Sequence, residues 1–467
     1  MQMVTMADYE GYNGFSGGFG NAGQNDVEEL NKALTSNYQS PRTDGSAALR
    51  VESLEATLRV LTFNANHVKL WRVIPKLPAY STSEEYNVQT SYGQDNGMFT
   101  LDGELPQTQD ASYERRVSLV KFIGCTKEVS YTTTLVKPAH GNVIALETSN
   151  AATWIMERTE RALFGARQDV IPQAWDGLDQ QIQNDPIASV QNIIDLRGSV
   201  LTPEKIEEGA NIIVEAYGVP TDFYAAPRAI SDLGKQYYPK ERINLPAPVN
   251  GRVGVTVSEV NTTAGVLPLN SDVFLRSGGN NGRKKAPASQ TSNRAPSAPT
   301  VTGAVGGSGS QFAAADVGTY QYKVSAINRF GESTSGQLSG GAAVASAGQN
   351  VTLTITDGGG GDPATGYRVY RSFVGGAVGT EQWIADVPRA TTGTTAYVDA
   401  NQYLPNTSRG YMFQVNTQSL AFKQLAPMLK VPLATVAISI RWAQVLFGVP
   451  QMYAPQKNVI YINCADD

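Results

Sequence analysis

Histidine and cysteine are nearly missing from this 467-residue chain, which has two of each. Cys125 and Cys464 are too few for a disulfide framework and fit a reducing compartment. His67 and His140 lie far apart, with neither cysteine nor spaced carboxylates nearby. They indicate no metal site and no cysteine–histidine nucleophile pair, and read as ordinary surface or core histidines. Charge is modest too: 37 basic against 42 acidic residues leave a net charge of −5. That balance excludes the clustered basic surface of a dedicated nucleic-acid binder. No apolar run approaches the roughly 20 residues that span a bilayer. The N-terminus lacks a charged segment followed by an apolar one, so no secretory signal is visible. These absences lead to the expectation of a soluble protein made in a cytoplasm, with no membrane partner.

Catalytic motifs are equally sparse. Gly14-Phe15-Ser16-Gly17-Gly18 fits the nucleophile-elbow spacing, and Gly18-Phe19-Gly20-Asn21-Ala22-Gly23 fits the dinucleotide fingerprint. Each needs a strand–turn–helix that its glycine- and asparagine-rich surroundings do not supply. The adjacent carboxylates Glu84-Glu85 and Glu207-Glu208 read as solvated faces, not acid–base pairs. Arg283-Lys284-Lys285 reads as part of a soluble hinge, and the two cysteines as small apolar fillers. No catalytic, cofactor-binding or metal-binding residue is assigned, and no cofactor is expected.

What the chain does contain is a particular order of segments. Residues 1–45 are rich in Gly, Asn and Ser and read as a flexible, mildly acidic arm. Helical spacing follows at Leu54, Leu58 and Leu61, then a strand candidate from His67 to Ile74. Tyr86, Val88, Thr90 and Tyr92 share one face of an extended segment, Asp95-Asn96-Gly97 makes a turn, and Met98 to Leu101 begins a return strand. Between Leu77 and Val120 there is no lysine, and seven carboxylates (Glu84, Glu85, Asp95, Asp102, Glu104, Asp110, Glu114) face only Arg115 and Arg116. A long acidic hairpin with so few apolar residues needs solvent or a neighbouring molecule.

Ala151, Trp154, Ile155, Ala162 and Leu163 then mark a helix over about 145–164, with a Glu157–Arg161 pair and Gly165 as C-cap. Thr202 as N-cap, Pro203, Glu204 and a closing Gly218 punctuate a second helix, and Ala225 to Leu233 form a third. Arg252 to Leu275 read as β-rich. From Ser277 to Pro299 the composition becomes that of a linker. Strands follow at 320–326, 351–355, 367–370, 383–387 and 395–398, the pattern of a β-sandwich with Tyr320 and Tyr322 in its core. Tyr320 to Ser333 resembles fibronectin type III and related immunoglobulin-like modules.

The order of arm, acidic hairpin, long helix, mixed α/β region, inserted sandwich and β-rich end resembles the major capsid proteins of tailed phages. These have the Hong Kong-97 type fold. Within that group it is most similar to those of large contractile-tailed phages that carry an immunoglobulin-like insertion. The segments carrying the resemblance are Pro427 to Ala434, reached from Leu404-Pro405, then Ala454-Pro455 and Lys457 to Ile462, with Leu201 to Gly218 as a further match.

The resemblance implies an α+β shell protein with no enzymatic activity. Its parts would be an N-arm at 1–45; a core at 46–285 with the E-loop at 77–116, the spine helix near 145–164 and part of the A-domain; a linker and inserted immunoglobulin-like domain at 286–403; and a return to the core at 404–467. It also implies hexamers and pentamers of the chain itself, portal and scaffolding or protease proteins during assembly, and packaged DNA bound without sequence specificity. A cell-surface or glycan contact through the insert belongs to the same expectation. The type phage cross-links its shell through an E-loop lysine; here the hairpin has none and Lys76 lies at its base, so covalent cross-linking is not expected. The competing readings are a secreted carbohydrate-binding or carbohydrate-active protein with a fibronectin-like module, and a phage tail or baseplate protein.

Overall fold

Residue 62 and residues 65–94, 97–136, 141–241, 257–275, 285–434 and 437–465 are described by the computed structural model of the chain. The arm at 1–45, both glycine motifs, the Leu54–Leu61 spacing, Asp95, Asn96, His140, Arg283 and Lys284 lie outside the described residues.

A 23-residue helix, Val143–Gly165, organises the core. The Asn142 side chain caps it, accepting the Ile144 amide at 2.9 Å. Ala151, Ile155 and Leu163 are buried at spacings of four and eight, one helical face, whereas Trp154 stays partly exposed. The expected Glu157–Arg161 pair is present at 2.6 Å, with Glu157 buried. Gly165 is the last helical residue and Ala166 the C-cap. Near that end Phe164 stacks on Tyr411 at 5.1 Å, joining the helix to the strand Thr407–Phe413.

The strand expected at His67 to Ile74 is not formed. Ala65–His67 is a 3-10 turn and Leu70–Val73 a short α-helix. The cause lies far away in sequence: the Glu160 carboxylate on the long helix accepts the amides of Lys69, Leu70 and Trp71 at 2.9, 2.7 and 2.8 Å. Three successive amides aimed at one carboxylate are the start of a helix.

Two sheets flank the helix. One has four strands in the order Lys76–Pro78, Leu420–Pro432, Ser439–Met452, Lys121–Ser130. The other has six, in the order Ile193–Asp195, Val459–Ala465, Thr407–Phe413, Asp222–Ala225, Gly265–Ser271, Glu259–Thr262. The helix Pro203–Glu215 packs Ile206, Ala210 and Ile213 into one apolar cluster with Val459 and Tyr461 of the six-stranded sheet. Thr202 caps it as its sequence suggests, accepting the Lys205 amide at 3.4 Å. Thr202→Ala is expected to lower stability by about 1 kcal/mol, checked by thermal unfolding of the full chain. At the other end Tyr217, not Gly218, takes the left-handed conformation (φ 59°), while the Gly218 amide donates to Ile213 O at 2.8 Å. Gly218 is required for a different reason: a Cβ there would meet Ile213 Cγ2 at 2.8 Å. The third helix begins only at Pro227, because Asp222–Ala225 is drawn into the sheet, and it continues to Glu241.

Residues 300–399 form three further sheets, the smallest a pair of Gly318–Tyr320 and Ala342–Val344. Three strands run in the order Thr395–Asp399, Asn350–Thr356, Thr300–Gly306; four run in the order Gly331–Gln337, Tyr322–Asn328, Gly366–Arg371, Gln382–Pro388. They share one apolar cluster that includes Tyr320, Tyr322, Val324, Val351, Leu353, Val369 and Ile384. Gly359, Gly360 and Gly361 are all left-handed (φ 62°, 78° and 66°), a run that only glycine adopts without strain.

The segment 285–299, expected to be linker, is bound along the four-stranded sheet. Lys285 bridges to Gln382, the Thr291 amide donates to Glu332 O at 2.9 Å, and Arg294 pairs with Asp362 at 2.9 Å. Composition signalled flexibility, but an uncovered sheet edge supplied partners. The chain therefore enters and leaves this unit at one end: Lys285 pairs with Gln382, Gln382 with Arg371, and Arg371 donates to Tyr403 O at 3.1 Å.

Three arginines fasten the unit to the rest of the chain. Arg167 donates to Asp386 O at 2.9 Å, and Arg197 to Asn401 O and Gln311 O at 2.7 and 2.9 Å. The Arg409 guanidinium pairs with Asp179 and lies over the rings of Tyr403 and Trp383.

Candidate assembly surfaces

The acidic segment forms a two-stranded antiparallel hairpin, Ser83–Ser91 against Ser112–Leu119, with Ser83 opposite Leu119 and Val88 opposite Glu114. The return strand does not begin at Met98 to Leu101. Gly97 and Gly103 are left-handed (φ 88° and 90°) and Pro106 lacks an amide donor, so 97–111 offers no regular ladder.

The hairpin root is held firmly. Glu84 accepts the amides of Tyr80 and Ser81 at 2.8 and 3.1 Å and lies 3.9 Å from Lys423 Nζ. It is a local cap, not the solvated carboxylate expected; only its neighbour Glu85 is exposed, paired with Arg115 at 3.4 Å. Arg116 bridges Glu114 at 3.0 Å and the buried Asp185 at 3.5 Å. Asp185 in turn caps the Ile187 and Ala188 amides. Tyr86 meets Tyr453 edge-on, 4.9 Å between centroids. A cavity of about 670 Å³ remains between root and body, lined by Tyr86, Arg116, Trp175, Gln181, Asp185 and Met452. Lys76, at the base, donates to Trp71 O at 2.8 Å and sits 4.6 Å from the Trp71 ring. Burial lowers its amine below the usual lysine value.

The far end is different. Phe99 is 88% and Leu105 93% exposed, and Tyr92, Met98 and Leu101 are exposed beside them. The hairpin's few apolar residues are thus concentrated where its own chain gives them no cover. A smaller patch lies at the end of Pro203–Glu215, where the left-handed Tyr217 is 93% exposed beside the exposed Val214 and Val219. Sequence reading missed both, although five large apolar residues within 92–105 were visible.

The other candidate residues have structural roles. Glu207 accepts the Thr263 amide at 3.1 Å and Glu208 pairs with Lys205 at 2.6 Å. Cys125 and Cys464 pack in separate apolar clusters, and burial pushes the Cys125 thiol up, away from nucleophilic use. His67 ends the 3-10 turn. Among the described residues no group of three or more His, Cys, Asp or Glu is arranged to hold a metal, and no helix is long and apolar enough to cross a membrane.

No family model matches the chain. It is 26% identical over 457 residues to a putative major capsid protein of Enterococcus phage phiEF24C, covering 93% of this chain and 95% of that one. It is 24% identical over 464 residues to the major capsid protein of Staphylococcus phage K, covering 93% and 96%. Over nearly its whole length the chain is similar to phage major capsid proteins.

The architecture is α+β, with a hairpin, a long helix and two flanking sheets. Solved structures similar to it include the capsid of a native GTA particle (7% identity, TM-score 0.47, covering 92% of this chain and 100% of that one). Another is from Microbacterium phage Oxtober96 (8% identity, TM-score 0.45, covering 92% and 100%). The names of these relatives, matched over nearly their whole length, point to a structural subunit of a virion head shell. The readings as a secreted carbohydrate-active protein or a tail or baseplate protein find no support among these relatives.

Proposed function

We propose that this chain is a major capsid protein of the Hong Kong-97 type, closing its shell without covalent cross-links, as hexamers and pentamers in which the hairpin at 77–116 lies across a neighbouring copy. The observation that carries this reading is the exposed apolar tip on a lysine-free hairpin, with Lys76 already bound to Trp71. Each such contact is worth little alone, and many copies sharing it make a stable particle. Denaturing electrophoresis of mature particles tests it: subunits should run as monomers, and a ladder of linked oligomers would overturn it. Intact mass against the 50.0 kDa chain tells whether the arm at 1–45 is removed.

In this reading the protein performs no catalysis. It packages DNA inside the shell without sequence specificity and meets portal and scaffolding or protease proteins during assembly. Residues 286–403 serve as an immunoglobulin-like module displayed outward, suited to weak repeated contact with a cell surface or glycan. Entry and exit of the chain at one end of this unit support an appended role. Joining Lys285 directly to Tyr403 is expected to leave a foldable subunit that still forms shells, scored by negative-stain microscopy. Aggregation alone would mean that the unit is integral to the shell.

A further inference from the structure

Two arginines share one phenylalanine at an end of the 300–399 unit. The Arg294 guanidinium carbon lies 3.6 Å, and that of Arg329 4.4 Å, from the centre of the Phe330 ring. Arg329 and Phe330 are the two residues that join the strand Tyr322–Asn328 to Gly331–Gln337, with Asn328 opposite Gly331. The turn is held by its own root. Buried Asn328 accepts the Phe330 and Gly331 amides at 2.9 and 3.0 Å and donates to Arg294 O at 2.9 Å. A Cβ at Gly331 would meet Thr291 Oγ1 at 2.6 Å, so glycine lets the turn lie this close to the segment 291–294.

The charges around the turn do not cancel. Arg294 is paired with Asp362 at 2.9 Å, and Arg389 with Asp357 at 2.9 Å. Arg329 is exposed, and among the described residues its guanidinium has neither an ion pair nor a hydrogen bond. Next to Asp362, the exposed Gly359, Gly360 and Gly361 leave their amides to solvent, a run of backbone donors beside the cation. A guanidinium resting on an aromatic ring keeps its N–H edge free, and that planar fork matches a carboxylate. The turn stands at the opposite end of its strand from Tyr322, whose partner Arg371 reaches Tyr403 where the chain leaves the unit.

We propose that this turn is a binding site for an acidic polysaccharide, with the Arg329 fork taking a sugar carboxylate and Phe330 fixing the guanidinium. The inference deepens the proposed outward display of residues 286–403 and rests on it. Charge density selects the class of partner. One uncompensated cation per copy, on a chain of net charge −5, suits a polymer that carries its carboxylates well apart. A dense polyanion such as nucleic acid would meet the surrounding carboxylates as well. Exposed and screened by salt, a single contact is weak, and its repetition over many copies gives lasting attachment.

Hyaluronate, with a carboxylate on every second sugar, is the probe, immobilised and presented with the full-length chain as free subunits and as assembled particles. The unaltered chain is expected to bind hyaluronate and ignore neutral dextran, with particles held far longer than subunits. Arg329→Gln and Phe330→Leu are each expected to weaken subunit binding, the first by about tenfold. Arg329 is exposed, so its replacement leaves the fold intact, as thermal unfolding checks. Lys285→Gln removes an exposed positive charge at the other end of the unit, beside Gln382, and is expected to change nothing. Free subunits that fail to bind hyaluronate, binding that survives either substitution in the turn, or an equal loss in Lys285→Gln would overturn the site. Subunits that bind while particles made from them do not would leave the site standing and overturn the outward display.

Discussion

On the proposed shell function, replacing Phe99 and Leu101 together with aspartate is expected to yield a folded chain that no longer closes shells. Both side chains are exposed at the hairpin tip, at 88% and 72%, so the isolated subunit loses little when they change. Exposed substitutions of this kind shift folding stability by about 0.5 kcal/mol or less. In a shell the balance reverses. Burying each side chain against a neighbour contributes roughly 1.5–3 kcal/mol, and a buried aspartate costs several kcal/mol more. Because every copy repeats the defect, the loss multiplies around the particle. Thermal unfolding should match the unaltered protein while gradient sedimentation and negative-stain microscopy show no closed particles. Normal shell yield from the double variant would show that the tip is not a contact.

The second large effect is expected inside the 300–399 unit. Arg371 is buried together with Asp399, 2.7 Å from Nη1 to the carboxylate, and its Nη2 donates to Asn401 Oδ1 at 2.7 Å and Tyr403 O at 3.1 Å. The Tyr322 hydroxyl also donates to Asp399 at 2.8 Å, and burial, then the Asp399 charge, push that phenol far above its usual value. The guanidinium lies over the rings of Phe312 and Tyr320. Arg371→Met removes one charge and leaves the other dry and uncompensated, which costs about 3–5 kcal/mol. Adding Asp399→Asn removes the orphaned charge and should recover part of that loss. Denaturant unfolding of the single and double variants measures both. A single variant within about 0.5 kcal/mol of the unaltered protein would refute the argument.

These two sites differ in how far they could be read from the chain. The lysine-free acidic hairpin was plain in composition, because counting charges between Leu77 and Val120 needs no coordinates. Its root and tip were not, since Arg116 finds Asp185 across 69 residues and the tip's exposure depends on what does not cover it. Thr202-Pro203-Glu204 announced a helix start because capping acts within three residues. Val351, Leu353 and Ile355 announced a strand because burial alternates with period two. The segment 67–74 misled because its helix is capped by Glu160, some ninety residues away. The segment 285–299 misled because its composition is that of a loop, while its partners Glu332 and Gln382 stand on the two outer strands of a sheet formed later in the chain.

By itself the sequence determined what is local or additive: the scarcity of histidine and cysteine, the hairpin's sign of charge, helix caps, strand periods and the order of segments. Tertiary structure alone decided where charges are dry. Glu160 with Asp272, and Arg371 with Asp399, are ordinary acidic and basic residues in the sequence. They become dry, and Arg371 with Asp399 a buried ion pair, only when distant segments exclude water around them, because the cost of charge depends on its surroundings and not on its neighbours along the chain.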